Sequence, residues 1–139
     1  MYDASVTHSD PATAWRLVAE ARRNARQHRH VAARRSYEHA IDRFRAIDDR
    51  FSVAALSLEL ASAISDEDSD AALWLIMQAV EAVVGAGGGY ATIEAAIPLQ
   101  ERILARIDDE SAAAVRAETD ALLTDYGTEN PRSPAGSSG

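Results

Sequence analysis

Two neighbouring segments in the middle of the chain are apolar around nearly the whole circumference of a helix. In the first segment, the apolar positions are Phe51, Val53, Leu56, Leu58, Leu60, Ala61 and Ile64. In the second, they are Leu73, Trp74, Leu75, Ile76, Met77, Ala79, Val80, Val83 and Val84. A helix that is apolar all round must be covered by protein on more than one side. The sequence therefore predicts that these two helices form the centre of the molecule, between the helices before and after them.

The segments on either side have one apolar and one polar face, which is typical of helices that pack on one side only. Helices are predicted over residues 11–28, over a stripe from Ala33 to Ile47, over residues 90–107, and over a stripe of Val115, Leu122 and Tyr126. Acidic residues that can cap helices precede several of these segments. Pro98 lies inside the fifth helix, where a kink is expected.

Six helices with short connections predict an all-α fold of three antiparallel helical hairpins, stacked as a short solenoid or a compact helical bundle. The 139 residues are enough for one domain. We expect an N-terminal extension over residues 1–10, a single helical domain over residues 11–126, and a disordered tail over residues 127–139. The tail is rich in Pro, Ser and Gly and has no apolar anchor.

The composition excludes several classes of protein. The chain has no Cys, which rules out a disulfide-stapled module, a thiolate catalyst and a Cys-based zinc site. No basic segment followed by an apolar run begins the chain, and its most apolar stretch, residues 71–86, is too short and polar to span a bilayer. These features predict a cytoplasmic protein with no membrane partner.

Charge is distributed unevenly along the chain. The formal net charge is −8, yet residues 1–50 hold 10 Arg against 7 acidic residues, and the remaining 89 residues hold 4 Arg against 15 acidic residues. All 14 basic residues are Arg. Two oppositely charged halves predict a molecule whose charge directs how it meets a partner or a second copy of itself.

An apolar pattern recurs along the chain, and its first two copies are 39 residues apart. Ala33, Tyr37, Ala40 and Ile41 have the same spacing as Ala72, Ile76, Ala79 and Val80, and a weaker third copy is Ala114, Glu118, Ala121 and Leu122. A small residue also lies in each partner helix, at Ala21, Ala61 and Ala105. Alanines facing each other let two helices approach closely.

This pattern resembles the tetratricopeptide repeat, and its longer period is similar to the repeats of large bacterial transcriptional activators of the MalT type. The resemblance covers residues 12–126 and fits best in the middle copy. The third copy departs from the family pattern at Glu118 and contains Pro98. The resemblance implies a stack of helical hairpins that binds a peptide or protein surface on the first helix of each pair and catalyses no reaction.

Three spacings suggest chemistry. Arg23 with His28, and Arg34 with His39, have a spacing similar to that in the small all-helical HEPN ribonucleases, which use an Arg and a His to cleave RNA. Five residues along a regular helix place the two side chains about 140° apart, so a turn or a dimer interface would have to bring them together. The pair His28 and His30 lacks the third and fourth ligands of a zinc site.

The third spacing is Asp66, Asp68 and Asp70, which matches the start of an EF-hand loop. The sixth and twelfth positions of that loop would be Ala71 and Met77 instead of Gly and Glu, so helix capping explains these acids better. The sequence therefore predicts no metal and no cofactor.

The strongest candidate for a binding surface is the Arg-rich segment of residues 16–45, with nine Arg and three acidic residues. Arg guanidinium groups suit carboxylates and phosphates, and a nearby Trp adds an aromatic surface. The acidic net charge argues against nucleic acid, so an acidic protein or peptide is the favoured partner. The candidate residues are Trp15, Arg16, Arg22, Arg23, Arg26 and Arg29.

These observations favour a non-catalytic protein-interaction module, regulatory or adaptor in role, that binds through its first-helix face and basic N-terminal hairpin. Two alternatives remain open at this point. One is a small ribonuclease that uses Arg and His. The other is a structural homo-oligomer, assembled by contact between the basic half of one copy and the acidic half of another.

Overall fold

The computed structural model describes residues 10–132. Over this range the chain forms six α-helices and no β-strand. The helices are α1 (Pro11–Arg26), α2 (His30–Ala46), α3 (Arg50–Ile64), α4 (Ser69–Val83), α5 (Tyr90–Leu104) and α6 (Asp109–Asp125). The all-α prediction with six helices is confirmed. The predicted extension, apart from residue 10, and residues 133–139 of the predicted tail lie outside the described residues.

Aspartates begin four of the six helices. Asp10 accepts a hydrogen bond from the amide of Ala12 at 2.9 Å, and Pro11 follows as the first helical residue. The carboxylates of Asp49, Asp68 and Asp108 cap α3, α4 and α6 in the same way. Such caps satisfy amides that have no partner inside the helix. The capping role predicted for these acids is confirmed.

Each helix packs against its neighbours in a compact bundle. The helices of the pairs α1–α2 and α3–α4 approach each other most closely. Between pairs, α2 packs on α3, α4 packs on α5, and α3 also contacts α5. The two central helices are therefore covered from both sides, as their all-round apolar character predicts. Their deeply buried side chains include Leu60 on α3 and Ile76, Val80 and Val83 on α4.

The first two copies of the repeated pattern lie in the core. Their residues are all buried: Ala33, Tyr37, Ala40 and Ile41 on α2, and Ala72, Ile76, Ala79 and Val80 on α4. Ala21 and Ala61 on the partner helices are buried as well. These small side chains allow the close approach within the first two hairpins.

The third copy differs, because Ala105, Ala114, Glu118 and Ala121 are exposed. Helix α6 buries Ala112, Thr119 and Leu123, whereas Val115 and Leu122 are partly buried and Tyr126 is exposed. Val115 and Leu122 pack against the hydrophobic core, so the predicted stripe of Val115, Leu122 and Tyr126 is confirmed at its first two positions and wrong at Tyr126. Thr119 also faces the core, because its hydroxyl accepts a hydrogen bond from the buried Gln100 of α5.

Helix α5 continues through Pro98 and ends at Leu104. Proline has no amide to donate to the carbonyl of Glu94, four residues earlier. Both Pro98 and Glu94 are exposed, so water can hydrate that carbonyl. The proline therefore lies on the one face of the helix where the missing bond costs least.

The α4–α5 connection allows a test of the packing. A Cβ added to Gly89 would collide with the backbone carbonyl of Val83 and lie 3.0 Å from its Cβ, whereas a Cβ on Gly87 would meet nothing within 4 Å. We expect Gly89→Ala to lower the free energy of unfolding by about 1–3 kcal/mol, since a packed backbone must shift. Gly87→Ala is the matched control and should be neutral or slightly stabilising. Urea denaturation measures both; equal stability of the two variants would contradict the close approach.

Candidate functional site

The first helices of the three pairs share one face of the bundle. Arg22 of α1 reaches Glu59 of α3, and a cleft of about 360 Å³ between α3 and α5 is lined by Ser62 and Arg102, among others. Trp15 lies two helical turns before Arg22, on the same side of α1. We call this surface the first-helix face and define it by Trp15, Arg22, Glu59, Ser62 and Arg102.

Arg22 is held by an ion pair inside the molecule. Its Nε and Nη2 donate to the two carboxylate oxygens of Glu59, each at 2.9 Å. The hydroxyl of Tyr37 on α2 donates to the same carboxylate at 2.5 Å. The three side chains therefore join α1, α2 and α3. This candidate partner-binding residue acts as a structural cross-link in the structure described here.

The cross-link shifts the titration of its members. The Arg22 guanidinium, and then the Tyr37 hydroxyl, hold the pKa of Glu59 below its ordinary value by hydrogen bonding to the carboxylate. Burial, followed by the hydrogen bond to Glu59, raises the pKa of Tyr37 well above its ordinary value. The charged carboxylate and the neutral phenol are thus the forms that the fold favours.

Trp15 packs on the core along one edge and leaves the rest of its ring accessible. Its ring centroid is 5.1 Å from that of Phe44 on α2, in an edge-to-face arrangement. The side chain is nonetheless 49% exposed. Phe51, at the start of α3, is also exposed. The side of the bundle that carries the first helices therefore presents two aromatic rings to the solvent.

Four of the candidate arginines lie free on the surface. Arg16, Arg23 and Arg26 on α1, and Arg29 in the loop after it, are exposed, and none has an ion-pair partner among residues 10–132. We call these four the α1 arginine group. Arg23 and Arg26 lie in the last turn of α1, where a positive charge also complements the helix dipole.

Two arginines of α2 differ from this group. Arg34 lies 3.4 Å from Asp68 and 3.7 Å from Glu38, and Arg45 lies 3.2 Å from Asp42, so acidic side chains offset their charge locally. Arg35 is exposed and has no ion-pair partner among residues 10–132, like the four residues of the α1 arginine group. The spacing of residues alone does not distinguish these two sets of arginines.

The Arg and His pairs do not form a recognisable catalytic arrangement. His28 lies in the loop after α1 with a φ of 59°, and its ring is tilted against that of His30 with centroids 6.0 Å apart. His39 is exposed on α2, and Arg34 forms ion pairs with Asp68 and Glu38. Within residues 10–132, no three His, Asp or Glu side chains are grouped closely enough to hold a metal.

Polar side chains of α5, α6 and the segment after them form a network that the sequence pattern does not predict. Gln100 is fully buried and donates to Thr119 at 2.9 Å, and Arg132 donates to the Gln100 side-chain oxygen. Arg132 also pairs with Asp120, and lies 3.2 Å from Glu101. Residues 128–132 are thus anchored by polar contacts. The sequence predicts a tail here because the segment lacks apolar residues. Anchoring by polar contacts cannot be recognised from that feature.

No helix in the described part of the chain combines the length and the apolar character that crossing a membrane requires. Comparisons with protein-family models, with curated proteins and with solved structures find no match for this chain.

The Arg22–Glu59 pair predicts a specific pH dependence. Because the pKa of Glu59 is lowered in the folded state, the pair stabilises the fold above the pKa of the unfolded chain, about 4.3, and this stability is lost as the pH falls through the folded value. Both side chains are partly exposed, so we expect Glu59→Gln to cost about 0.5–1.5 kcal/mol near pH 7. The cost should be smaller at pH 3 than near pH 7.

Urea denaturation at the two pH values measures the effect. Glu20→Gln on the solvent side of α1 is the matched control, and it should leave the free energy of unfolding unchanged within about 0.5 kcal/mol. If Glu59→Gln were as stable as the unaltered chain near pH 7, the cross-link would have no energetic role.

Proposed function

We propose that this protein is a non-catalytic, regulatory or adaptor module that binds an acidic peptide or an acidic protein surface. Binding takes place on the first-helix face and at the α1 arginine group. The observation that carries the proposal is the set of four exposed arginines with no ion-pair partner among residues 10–132, in a chain whose net charge is −8. In this proposal the bundle is a short stack similar to tetratricopeptide repeats, and it acts in the cytoplasm.

The chemistry of these side chains favours carboxylates as the ligand groups. A guanidinium presents several N–H donors in a fixed planar fork that matches a carboxylate, and it is charged at every physiological pH. An exposed arginine keeps these donors in water until a partner replaces the water. An acidic stretch of polypeptide offers several carboxylates at the spacing of a helix turn or an extended chain.

The arrangement also explains why a protein is favoured over nucleic acid. The acidic residues after residue 50 repel a long polyanion, whereas a short acidic segment can contact α1 alone. The half-exposed ring of Trp15 lies beside the arginines and offers an apolar contact to a neighbouring side chain of the same partner. Aromatic and Arg side chains are the residue types that contribute most to protein interfaces.

Arg22 has a different role in this proposal from the one its sequence position predicts. Its two hydrogen bonds to Glu59 fix α1 relative to α3, so it positions the surface without contacting the partner. An experiment on binding should therefore leave Arg22 unchanged. Replacing it would disturb the fold and the surface together.

Selection from a random peptide library tests the proposal. We expect the unaltered protein to enrich acidic peptides, and the triple variant Arg23→Gln, Arg26→Gln and Arg29→Gln to bind the selected peptides at least about tenfold more weakly, because each lost charge-assisted contact weakens binding. Titration of a selected peptide, followed by the fluorescence of Trp15 in a Trp74→Phe background, measures the affinity.

A second triple variant, Arg35→Gln, Arg45→Gln and Arg50→Gln, is the control because it removes the same charge outside the α1 arginine group and the first-helix face. It should retain most of the affinity. If selection enriched no acidic peptides, or if both triple variants lost affinity equally, the α1 arginine group would not be the binding site.

A further inference from the structure

A second surface lies between α2 and α4, away from the α1 arginine group. It is a groove of about 370 Å³ whose floor includes Ser57 of α3. One wall carries Glu38 and Asp42 of α2, and the other carries Trp74 and Gln78 of α4. We call this surface the α2–α4 groove and define it by these five residues.

Ser57 is a polar group that the fold leaves unsatisfied. Its side chain is 1% exposed, and its hydroxyl has no hydrogen-bond partner among the described residues. Buried hydroxyl groups nearly always have a partner, because water is no longer available to replace one. A hydroxyl that lines a groove and lacks a partner is satisfied when a ligand places a polar atom beside it.

Trp74 is an apolar group that the fold leaves uncovered. The sequence places it on a helix that is apolar on most sides, yet its side chain is 60% exposed. The ring lies on one wall of the groove and offers a large apolar surface to a group that enters it. Its flat face suits a planar group or a cation, which the electrons of an indole attract.

The acidic side chains that line the groove favour a positively charged ligand. Glu38 and Asp42 lie along the α2 wall, and α4 carries no basic residue. Arg45 and His39 also line the groove. Arg45 is held 3.2 Å from Asp42, and Glu38 has only a 3.7 Å contact with Arg34. Exposed ion pairs of this kind are weak and exchange partners readily, so both carboxylates can accept an incoming cation.

We propose that the α2–α4 groove binds an arginine side chain of a partner polypeptide. The planar guanidinium stacks on Trp74 and donates to the carboxylates of Glu38 and Asp42 and to the hydroxyl oxygen of Ser57. A guanidinium fits better than an ammonium because it combines a flat stacking surface with several donors that point in different directions. This site binds a basic segment, and it is independent of the acidic partner proposed for α1.

The fluorescence of Trp74 tests the proposal directly. The chain has two Trp residues, so Trp15→Phe leaves Trp74 as the single reporter. The probes are three capped tripeptides with Arg, citrulline or Lys between two Gly residues. Citrulline has nearly the same shape as Arg but no charge. We expect a saturable change with the Arg probe at about millimolar concentration, binding at least fivefold weaker with Lys, and no saturation with citrulline.

Variants in the same background separate binding from folding. Glu38→Gln with Asp42→Asn should weaken the Arg probe about tenfold without loss of helicity, since both side chains are exposed. Ser57→Ala should weaken the probe several-fold while leaving the unfolding midpoint equal or higher, because it removes an unsatisfied hydroxyl. Glu94→Gln with Asp125→Asn, outside the groove, is the matched control and should leave the affinity unchanged.

Three results would overturn the proposal. One is no saturable response to the Arg probe. Another is an equal response to the Arg and citrulline probes, which would show that binding does not require a positive charge on the ligand. The last is unchanged affinity in the Glu38→Gln, Asp42→Asn variant, which would place the cation elsewhere.

Discussion

The α3–α4 hairpin is apolar on both of its sides, and the rest of the structure depends on the need to cover both. Both helices carry apolar side chains on more than one side, so the pair requires protein on both flanks. Helix α2 covers one flank, and α5 covers the other by contacting both α3 and α4. Each fully buried Leu or Ile contributes about 1.5–3 kcal/mol, which makes this double cover the main source of stability. The amphipathic outer helices depend on it, because each has only one apolar face to bury.

Two different kinds of contact hold the hairpins together. In the first two hairpins, small side chains such as Ala21, Ala40, Ala61 and Ala79 are completely buried and let the helices approach closely. In the third, Gln100 and Thr119 form a buried hydrogen bond, and Arg132 completes the network from beyond α6. A buried polar network requires every member to be satisfied, so the segment after α6 is part of the fold of this hairpin.

The local pattern of the sequence is enough to predict the helices, their aspartate caps and the central position of α3 and α4. It does not predict contacts between residues distant in the chain. Arg22 and Arg26 look alike in sequence, yet Arg22 meets Glu59, 37 residues later. Helix α6 is rich in Ala and has a weak apolar period, so the pattern finds the core contacts of Val115 and Leu122 but misses the buried Thr119 and wrongly includes the exposed Tyr126. Trp74 and Ser57 lie on helices that the pattern assigns to the core, and only the packing of α2 beside α4 shows the groove between them.

The candidate surfaces are complementary in character. The α1 arginine group offers positive charge with no ion-pair partner within residues 10–132, whereas the α2–α4 groove combines carboxylates, an exposed indole and a buried hydroxyl that has no hydrogen-bond partner in the same range. Both lie on helices anchored to the central hairpin, so the rigidity of that hairpin keeps each surface in place. The two proposed sites would therefore be formed before a partner binds.

Native-state hydrogen exchange tests the central claim most directly, because it measures the free energy of opening for each helix. If the double cover of α3 and α4 stabilises the whole bundle, their buried amides should exchange only through global unfolding, with opening free energies equal to the free energy measured by denaturant. Amides of α6 should open at a lower free energy. The account would be contradicted if α3 or α4 exchanged more readily than α6.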